Sequence, residues 1–134
     1  MGKVQILAVL TMDGCLSSEL YDKAHQDLCL DRCGLDEIRK KAFYRVTPDY
    51  SISMLHEWRK DCTNIRYLAE ATPDTADYIN GLLRMHAVDE IILYTVPFIS
   101  GSGRHFFKSA LPEQHWTLSS LKSFPNGVCR IIYI

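Results

Sequence analysis

Hydrophobic and polar positions alternate in segments that predict a mixed α/β fold. Residues 4–10 form an apolar run that ends near Asp13-Gly14, as expected for a buried strand followed by a turn. Residues 35–43 place apolar side chains at helical spacing, with acidic residues at the start and lysines at the end. This pattern predicts an amphipathic helix whose charges match its dipole. Between these segments, residues 20–28 show only a weak helical spacing.

The middle of the chain predicts a β-α-β unit. Residues 65–69 and 88–96 are β-rich apolar runs, and residues 73–85 between them have helical spacing. Thr72 followed by proline suggests the N-cap of this helix. Such a unit normally gives parallel strands.

Two shorter elements precede this unit. Residues 43–47 form a β-type run that ends at a proline. Residues 52–58 predict a helix, which either Ser51 or Ser53 would cap.

The C-terminal third predicts an antiparallel hairpin. Residues 116–122 and 128–134 are strand candidates, and they flank Asn126-Gly127, which is typical of a tight hairpin turn. The last strand is mostly apolar, so an exposed edge there would favour pairing with another chain. A plain oligomerisation module is therefore one open interpretation of this end of the chain.

Composition and charge are those of a globular domain. The 134 residues suit a single domain spanning 1–134, and 47% hydrophobic residues with a net charge of -1 exclude a mainly disordered chain. The 15 basic residues nearly balance the 16 acidic ones, which gives no general attraction for nucleic acid. We therefore expect no nucleic-acid partner.

No targeting, membrane or metal-binding pattern stands out. No apolar run approaches the roughly 18 residues of a membrane span. The five cysteines are odd in number, which disfavours a disulfide framework, and the five histidines lack metal-site spacing. We expect a cytoplasmic protein with no membrane contact and no metal.

Several motifs together resemble the pyrimidine reductase domain of riboflavin biosynthesis. They are Val88-Asp89-Glu90, Pro97, Gly101-Ser102-Gly103, Phe106-Phe107, Met12-Asp13-Gly14 and Phe124-Pro125-Asn126-Gly127-Val128. Their order is similar to the family's Val-Asp-Glu strand start, strand-end proline, Gly-x-Gly loop, first-strand Asp-Gly and closing hairpin. The resemblance is specific over residues 82–107 and only suggestive over residues 15–63.

The resemblance implies a fold, a reaction and partners. It implies a dihydrofolate-reductase-like α/β fold, with a mixed, mostly parallel sheet flanked by helices and a C-terminal antiparallel hairpin. It also implies an NADPH-dependent reductase of a pyrimidine or pterin-like small molecule, similar to 5-amino-6-(5-phosphoribosylamino)uracil reductase. The hydride chemistry would belong to the cofactor. A homodimer is expected because family members commonly pair.

The resemblance also assigns candidate site residues. By the resemblance, the Asp13 loop would lie beside the nicotinamide or the substrate, and Asp13 would contact the substrate; a simple turn is the alternative. Glu70, at the carboxyl end of a strand where such sheets bind ligands, would contact substrate or cofactor, or else be a solvated carboxylate. The cofactor contacts would be Gly14, Thr72, Gly101, Gly103 and Arg104. No catalytic group is assigned.

One motif departs from the family and keeps a second function open. Glu70-Ala71-Thr72-Pro73 stands where the family has Glu-Gly-Gly or Glu-Ala-Gly. The family's second glycine lets the backbone approach a diphosphate at the helix N-terminus, and Asp74 and Asp77 would repel that group. A non-catalytic, shortened relative that binds a small ligand or dimerises is therefore the alternative.

Overall fold

The computed structural model describes residues 2–16, 33–61, 65–99, 101, 105–108 and 111–134. The weak helix expected over residues 20–28 lies outside these residues. Within the described ranges there are six strands and three helices. In chain order these are β1 (Lys3–Leu10), α1 (Leu35–Lys41), β2 (Tyr44–Arg45), α2 (Ile52–Asp61), β3 (Arg66–Glu70), α3 (Ala76–Arg84), β4 (Glu90–Thr95), β5 (Leu118–Ser123) and β6 (Cys129–Tyr133).

The strands form one mixed sheet in the order β2-β3-β1-β4-β6-β5. The pairs β2–β3, β1–β3 and β1–β4 are parallel, whereas β4–β6 and β5–β6 are antiparallel. The predicted α/β class, with parallel strands and a C-terminal antiparallel hairpin, is therefore confirmed. The chain has the mixed α/β architecture of a dihydrofolate-reductase-like fold.

The last strand lies inside the sheet. The interpretation of this end as an oligomerisation module needed an exposed edge at residues 128–134, and the structure contradicts that arrangement. Strand β6 lies between β4 and β5 and is hydrogen-bonded on both sides, so β5 forms the edge. The hydrophobic pattern predicts that these residues form a strand, but it does not predict which strands lie beside it. The apolar residues of β6 are explained by its position inside the sheet.

The sheet separates two cores, and β1 contributes to both. Val4 and Ile6 point into a core shared with α2 and α3, whereas Leu7 and Val9 point into a core shared with α1. Successive side chains on a strand face opposite sides. Both faces of β1 are therefore covered, which explains why residues 4–10 are apolar apart from Gln5.

The helix starts differ in how well the sequence predicted them. The Ser51 hydroxyl accepts a hydrogen bond from the Met54 amide at 3.2 Å, which confirms Ser51 as a cap of α2. The helix α3 begins at Ala76, three residues later than expected, and its N-cap position is Thr75, so the prediction of Thr72 as its N-cap is wrong. Thr72 still caps the preceding turn, because its Oγ1 accepts the Thr75 amide at 3.2 Å. No helix among the described segments is long and apolar enough to cross a membrane.

Candidate functional site

The candidate site lies where the parallel strands β1, β3 and β4 end. Carboxyl ends of parallel strands meet at one edge of a sheet, and open α/β sheets bind ligands outside that edge. Three described segments follow these strands: residues 11–15 after β1, residues 71–75 after β3, and residues 96–99 with Gly101 after β4.

The loop after β1 is a tight turn built around Thr11. The Thr11 side chain is buried, donates a hydrogen bond to Asp13 and accepts one from the Cys15 amide at 3.1 Å. Gly14 has a φ of 79°, a left-handed conformation that favours glycine, and its amide donates to the Thr11 carbonyl at 3.0 Å. The Asp-Gly motif therefore turns the chain and fixes the direction of the Asp13 side chain.

Asp13 joins the loop after β1 to the loop after β4. Its Oδ2 accepts a hydrogen bond from the Gly101 amide at 3.0 Å, and the Met12 amide donates to the Phe98 carbonyl at 2.7 Å. The structure thus brings Asp13, Gly14 and Gly101 together. The carboxylate accepts hydrogen bonds from the Thr11 hydroxyl and the Gly101 amide, which both belong to these loops. The contact of Asp13 with a substrate stays a prediction.

Asn80 anchors the segment that returns from the loop after β4. Its side chain is fully buried, and its Nδ2 donates to the carbonyls of Ala76 and Phe106, both at 2.8 Å. Its Oδ1 accepts the Lys108 amide at 3.0 Å, and the Phe106 amide donates to the Gly14 carbonyl at 3.1 Å. Asn80 therefore links α3 to the Asp13 loop. The sequence analysis missed it, although an Asn inside the apolar stripe of a helix is a usable signal.

Glu70, the last residue of β3, pairs with two arginines. Its Oε1 contacts the Arg39 guanidinium from α1, and its Oε2 lies 3.6 Å from Nη1 of Arg45 on β2. The Oδ1 of Asp36 lies 3.9 Å from Nη1 of Arg39, so Arg39 is paired with two carboxylates. The Arg45 side chain is 60% exposed, against 21% for Arg39, so Arg45 is the most accessible cation of this group. Glu70 therefore holds the two arginine side chains close together. Its contact with a substrate stays a prediction.

Four backbone amides after β3, those of Ala71, Thr72, Thr75 and Ala76, are occupied by the chain's own oxygen atoms. The Thr72 amide donates to Thr75 Oγ1 at 2.8 Å, and the amides of Thr75 and Ala76 donate to the Thr72 carbonyl at 3.1 and 2.9 Å. The Ala71 amide donates to the Leu7 carbonyl at 2.8 Å, and Pro73 has no N–H. Asp74 is exposed and acidic. This turn therefore does not fit a diphosphate held by backbone amides.

The remaining candidates fall at different places. Gly101 is exposed, has a φ of 73°, and has open space where a Cβ would stand. Gly103 and Arg104 lie outside the described residues, so their cofactor contacts stay predictions. No group of three or more His, Cys, Asp or Glu side chains in the described ranges is arranged to hold a metal ion.

Two cavities in the described part of the chain lie away from this edge. The larger, of about 440 Å³, is mainly apolar and is lined by residues such as Leu83, Phe107 and Trp116. The smaller, of about 180 Å³, lies between α1 and the sheet. Neither of these cavities is lined by the candidate residues.

Similarity to known proteins is found in structure and not in sequence. No protein-family model and no curated protein sequence matches the chain. A putative riboflavin biosynthesis protein from Shewanella sp. PV-4 superposes with a TM-score of 0.62 at 10% identity, over 98% of this chain and 97% of that one. RibD from Acinetobacter baumannii gives 0.61 at 14% identity, over 100% of this chain and 58% of that one.

A third structure is the riboflavin biosynthesis reductase of Saccharomyces cerevisiae. It gives a TM-score of 0.51 at 14% identity, over 98% of this chain and 87% of that one. At such identities the similarity establishes the fold. The resemblance to the pyrimidine reductase domain of riboflavin biosynthesis is therefore confirmed at the level of fold, and the chain spans little more than half the length of RibD.

Proposed function

We propose that this chain is a cytoplasmic, NADPH-dependent reductase of a pyrimidine or pterin-like substrate, similar to 5-amino-6-(5-phosphoribosylamino)uracil reductase. The observation that carries the proposal is the Asp13–Gly101 hydrogen bond. It holds the two loops that follow β1 and β4 together at the ligand-binding edge of a reductase-like sheet.

The Asp13 loop would recognise the substrate. A carboxylate has about four acceptor positions and suits the amino and ring N–H groups of an aminopyrimidine. Thr11 and Gly101 fix its orientation, so little conformational entropy would be lost when a ligand binds. NADPH, when bound, would supply the hydride, and this chain's residues would bind and orient the two molecules.

Side chains rather than backbone amides would hold the cofactor's phosphates. The amides of residues 71–76 do not fit this task, but the exposed Arg45 guanidinium at the end of β2 offers charge and several donors. Glu70 and Arg39 beside it would keep that guanidinium at the carboxyl edge. Gly14, Thr72, Gly101, Gly103 and Arg104 remain candidate contacts for the rest of the cofactor.

A turnover assay tests this function. Purified protein is mixed with NADPH and either 5-amino-6-(5-phosphoribosylamino)uracil or dihydrofolate, and NADPH oxidation is followed by absorbance. We expect oxidation with one of the two substrates and a loss of about tenfold or more in Asp13→Asn. The matched change Glu113→Gln, at an exposed site outside the Asp13 loop, should leave the rate unchanged. Absence of NADPH oxidation with both substrates would reject the proposed reaction.

The occupied amides after β3 favour a second candidate function. In this alternative the chain is a non-catalytic, shortened relative that binds a small ligand at the Asp13 loop and has no dinucleotide partner. Absence of both NADPH binding and NADPH oxidation in a folded protein would support it. Turnover of either substrate would eliminate it.

We also propose that the protein forms a homodimer through the β5 edge. Leu118 and Leu121 on this strand are 53% and 63% exposed, and Ile134 beside it is 54% exposed. An exposed edge strand with apolar side chains favours pairing between copies of a chain. Light scattering should give a dimer mass for the wild type and a monomer mass for Leu121→Lys, whereas a monomeric wild type would refute the dimer.

A further inference from the structure

The smaller cavity is a polar chamber at the opposite edge from Asp13. It has a volume of about 180 Å³ and lies between α1 and the amino-terminal half of the sheet. Its walls include Gln5 of β1, Arg66 at the start of β3 and Glu90 at the start of β4. Parallel strands begin at one edge and end at the other, so this chamber is separate from the proposed reductase site.

Positive charge exceeds negative charge around the chamber. Arg66, Lys41 and Arg130 line it, together with the carboxylates of Glu37 and Glu90. Glu90 accepts a hydrogen bond from the Gln5 side chain at 2.7 Å. Within the described residues, none of the three cations has a carboxylate oxygen within 4 Å, and their charges are therefore not neutralised by ion pairs.

Arg130 is the member of this group that is fixed in place. Its Nη1 lies 3.0 Å from the position that a Cβ on Gly34 would take, and the buried Tyr94 hydroxyl lies 3.7 Å from the same position. Gly34 has a φ of 85° and leaves room for this close approach. The Nε of Arg130 is buried and has no hydrogen-bond partner in the described structure. A buried donor without a partner is unfavourable, and an acceptor from a ligand would remove that cost.

We propose that this chamber binds the phosphate group of a small metabolite, with Arg130 as the central contact and Lys41 and Arg66 completing the charge. Arg guanidinium groups match the geometry of phosphate oxygens and bind them with strong, charge-assisted hydrogen bonds. The chamber has the volume of about six water molecules, which admits a phosphate with a short substituent.

Titration with inorganic phosphate tests the proposal without using NADPH. Calorimetry on the full chain, at constant ionic strength maintained with chloride, should detect saturable binding to the wild type. Arg130→Met should weaken this binding about tenfold or more, because it removes a charge-assisted contact. Lys41→Met should also weaken phosphate binding. Because Lys41 is exposed at the end of α1, we expect this variant to fold like the wild type. The control Arg84→Met, on α3 and outside the chamber, should bind phosphate like the wild type.

Three results would overturn the proposal. The first is absence of phosphate binding at tens of millimolar, and the second is wild-type affinity in both folded chamber variants. The third is binding of acetate as tight as that of phosphate, which would contradict the assignment of a phosphate group. If circular dichroism finds Arg130→Met unfolded, then Lys41→Met decides: weaker binding supports the site, and unchanged binding rejects it.

Discussion

The carboxylate of Asp13 accepts the backbone amide of Gly101 at 3.0 Å, across 88 positions of the sequence. This bond connects the loops that follow β1 and β4, which are neighbouring parallel strands. The two loops can therefore act as one surface at the carboxyl edge of the sheet. Whatever binds there meets a surface whose shape depends on Asp13.

Removing the Asp13 carboxylate should loosen this surface. Asp13→Ala loses the bonds from the Thr11 hydroxyl and the Gly101 amide, and we expect the free energy of unfolding to fall by about 1–3 kcal/mol. Hydrogen exchange at the Gly101 amide should become faster. Glu113→Ala, at an exposed site, serves as the control and should change neither quantity. Unchanged exchange at Gly101 in Asp13→Ala would refute the connection between the loops.

Asn80 should matter more for stability than its polar character suggests. Asn80→Ala leaves the Phe106 carbonyl and the Lys108 amide without their side-chain partner, at a site with no solvent access. We expect a loss of about 2–4 kcal/mol in urea unfolding. Asp77→Ala on the exposed side of the same helix should cost much less. Equal losses in the two variants would show that the Asn80 contacts contribute little.

The ion pair between Arg39 and Glu70 should be energetically coupled. Both side chains are about a quarter exposed or less, so solvent screens the pair only in part. A double-mutant cycle with Arg39→Met and Glu70→Gln should give a coupling of about 1–2 kcal/mol. The same cycle with Arg45→Met should give less than half of this, because Arg45 is more exposed and lies 3.6 Å from the carboxylate. A zero coupling for Arg39 would contradict the geometry.

Tyr94 should make stability depend on alkaline pH. Burial raises the pKa of this tyrosine above its ordinary value of 10.0, although the Arg130 guanidinium acts in the opposite direction. A raised pKa in the folded state means that this contribution to stability is present below about pH 10 and is lost as the pH rises further. Tyr94→Phe also loses the 2.8 Å bond to the Cys33 carbonyl, so it should be less stable near neutral pH.

The difference between the wild type and Tyr94→Phe is the measured quantity. It should shrink as the pH rises above about 10, because the exposed tyrosine of the unfolded wild type then loses its proton while the buried hydroxyl of the folded state keeps it, which favours unfolding. Denaturant unfolding across this range measures it. A constant difference would contradict the raised pKa.

Local patterns predicted the elements of this fold well, because each depends on short-range periodicity. The apolar run at 4–10 became β1, and the Asn126-Gly127 turn closes the hairpin of β5 and β6. The strand order was not predictable in the same way, since pairing partners are set by contacts between distant segments. That is why the sequence left open an exposed edge at residues 128–134, although β6 lies inside the sheet.

The candidate site was predicted only in part, for a related reason. The Asp-Gly turn is a local motif, so Asp13 and Gly14 could be recognised from the sequence alone. The partners that give Glu70 its environment, Arg39 and Arg45, come from α1 and β2 and have no sequence motif. Asn80 likewise acquires its role from a segment 26 residues further along the chain.

Equilibrium binding of NADPH to the purified chain tests the central claim most directly. A fluorescence titration of the wild type, with Arg45→Met as the variant, measures whether a dinucleotide binds at the carboxyl edge. The account predicts saturable binding with a dissociation constant in the micromolar range, and weaker binding in Arg45→Met. Absence of binding at millimolar NADPH in a folded protein would contradict it and leave a reductase fold without its cofactor.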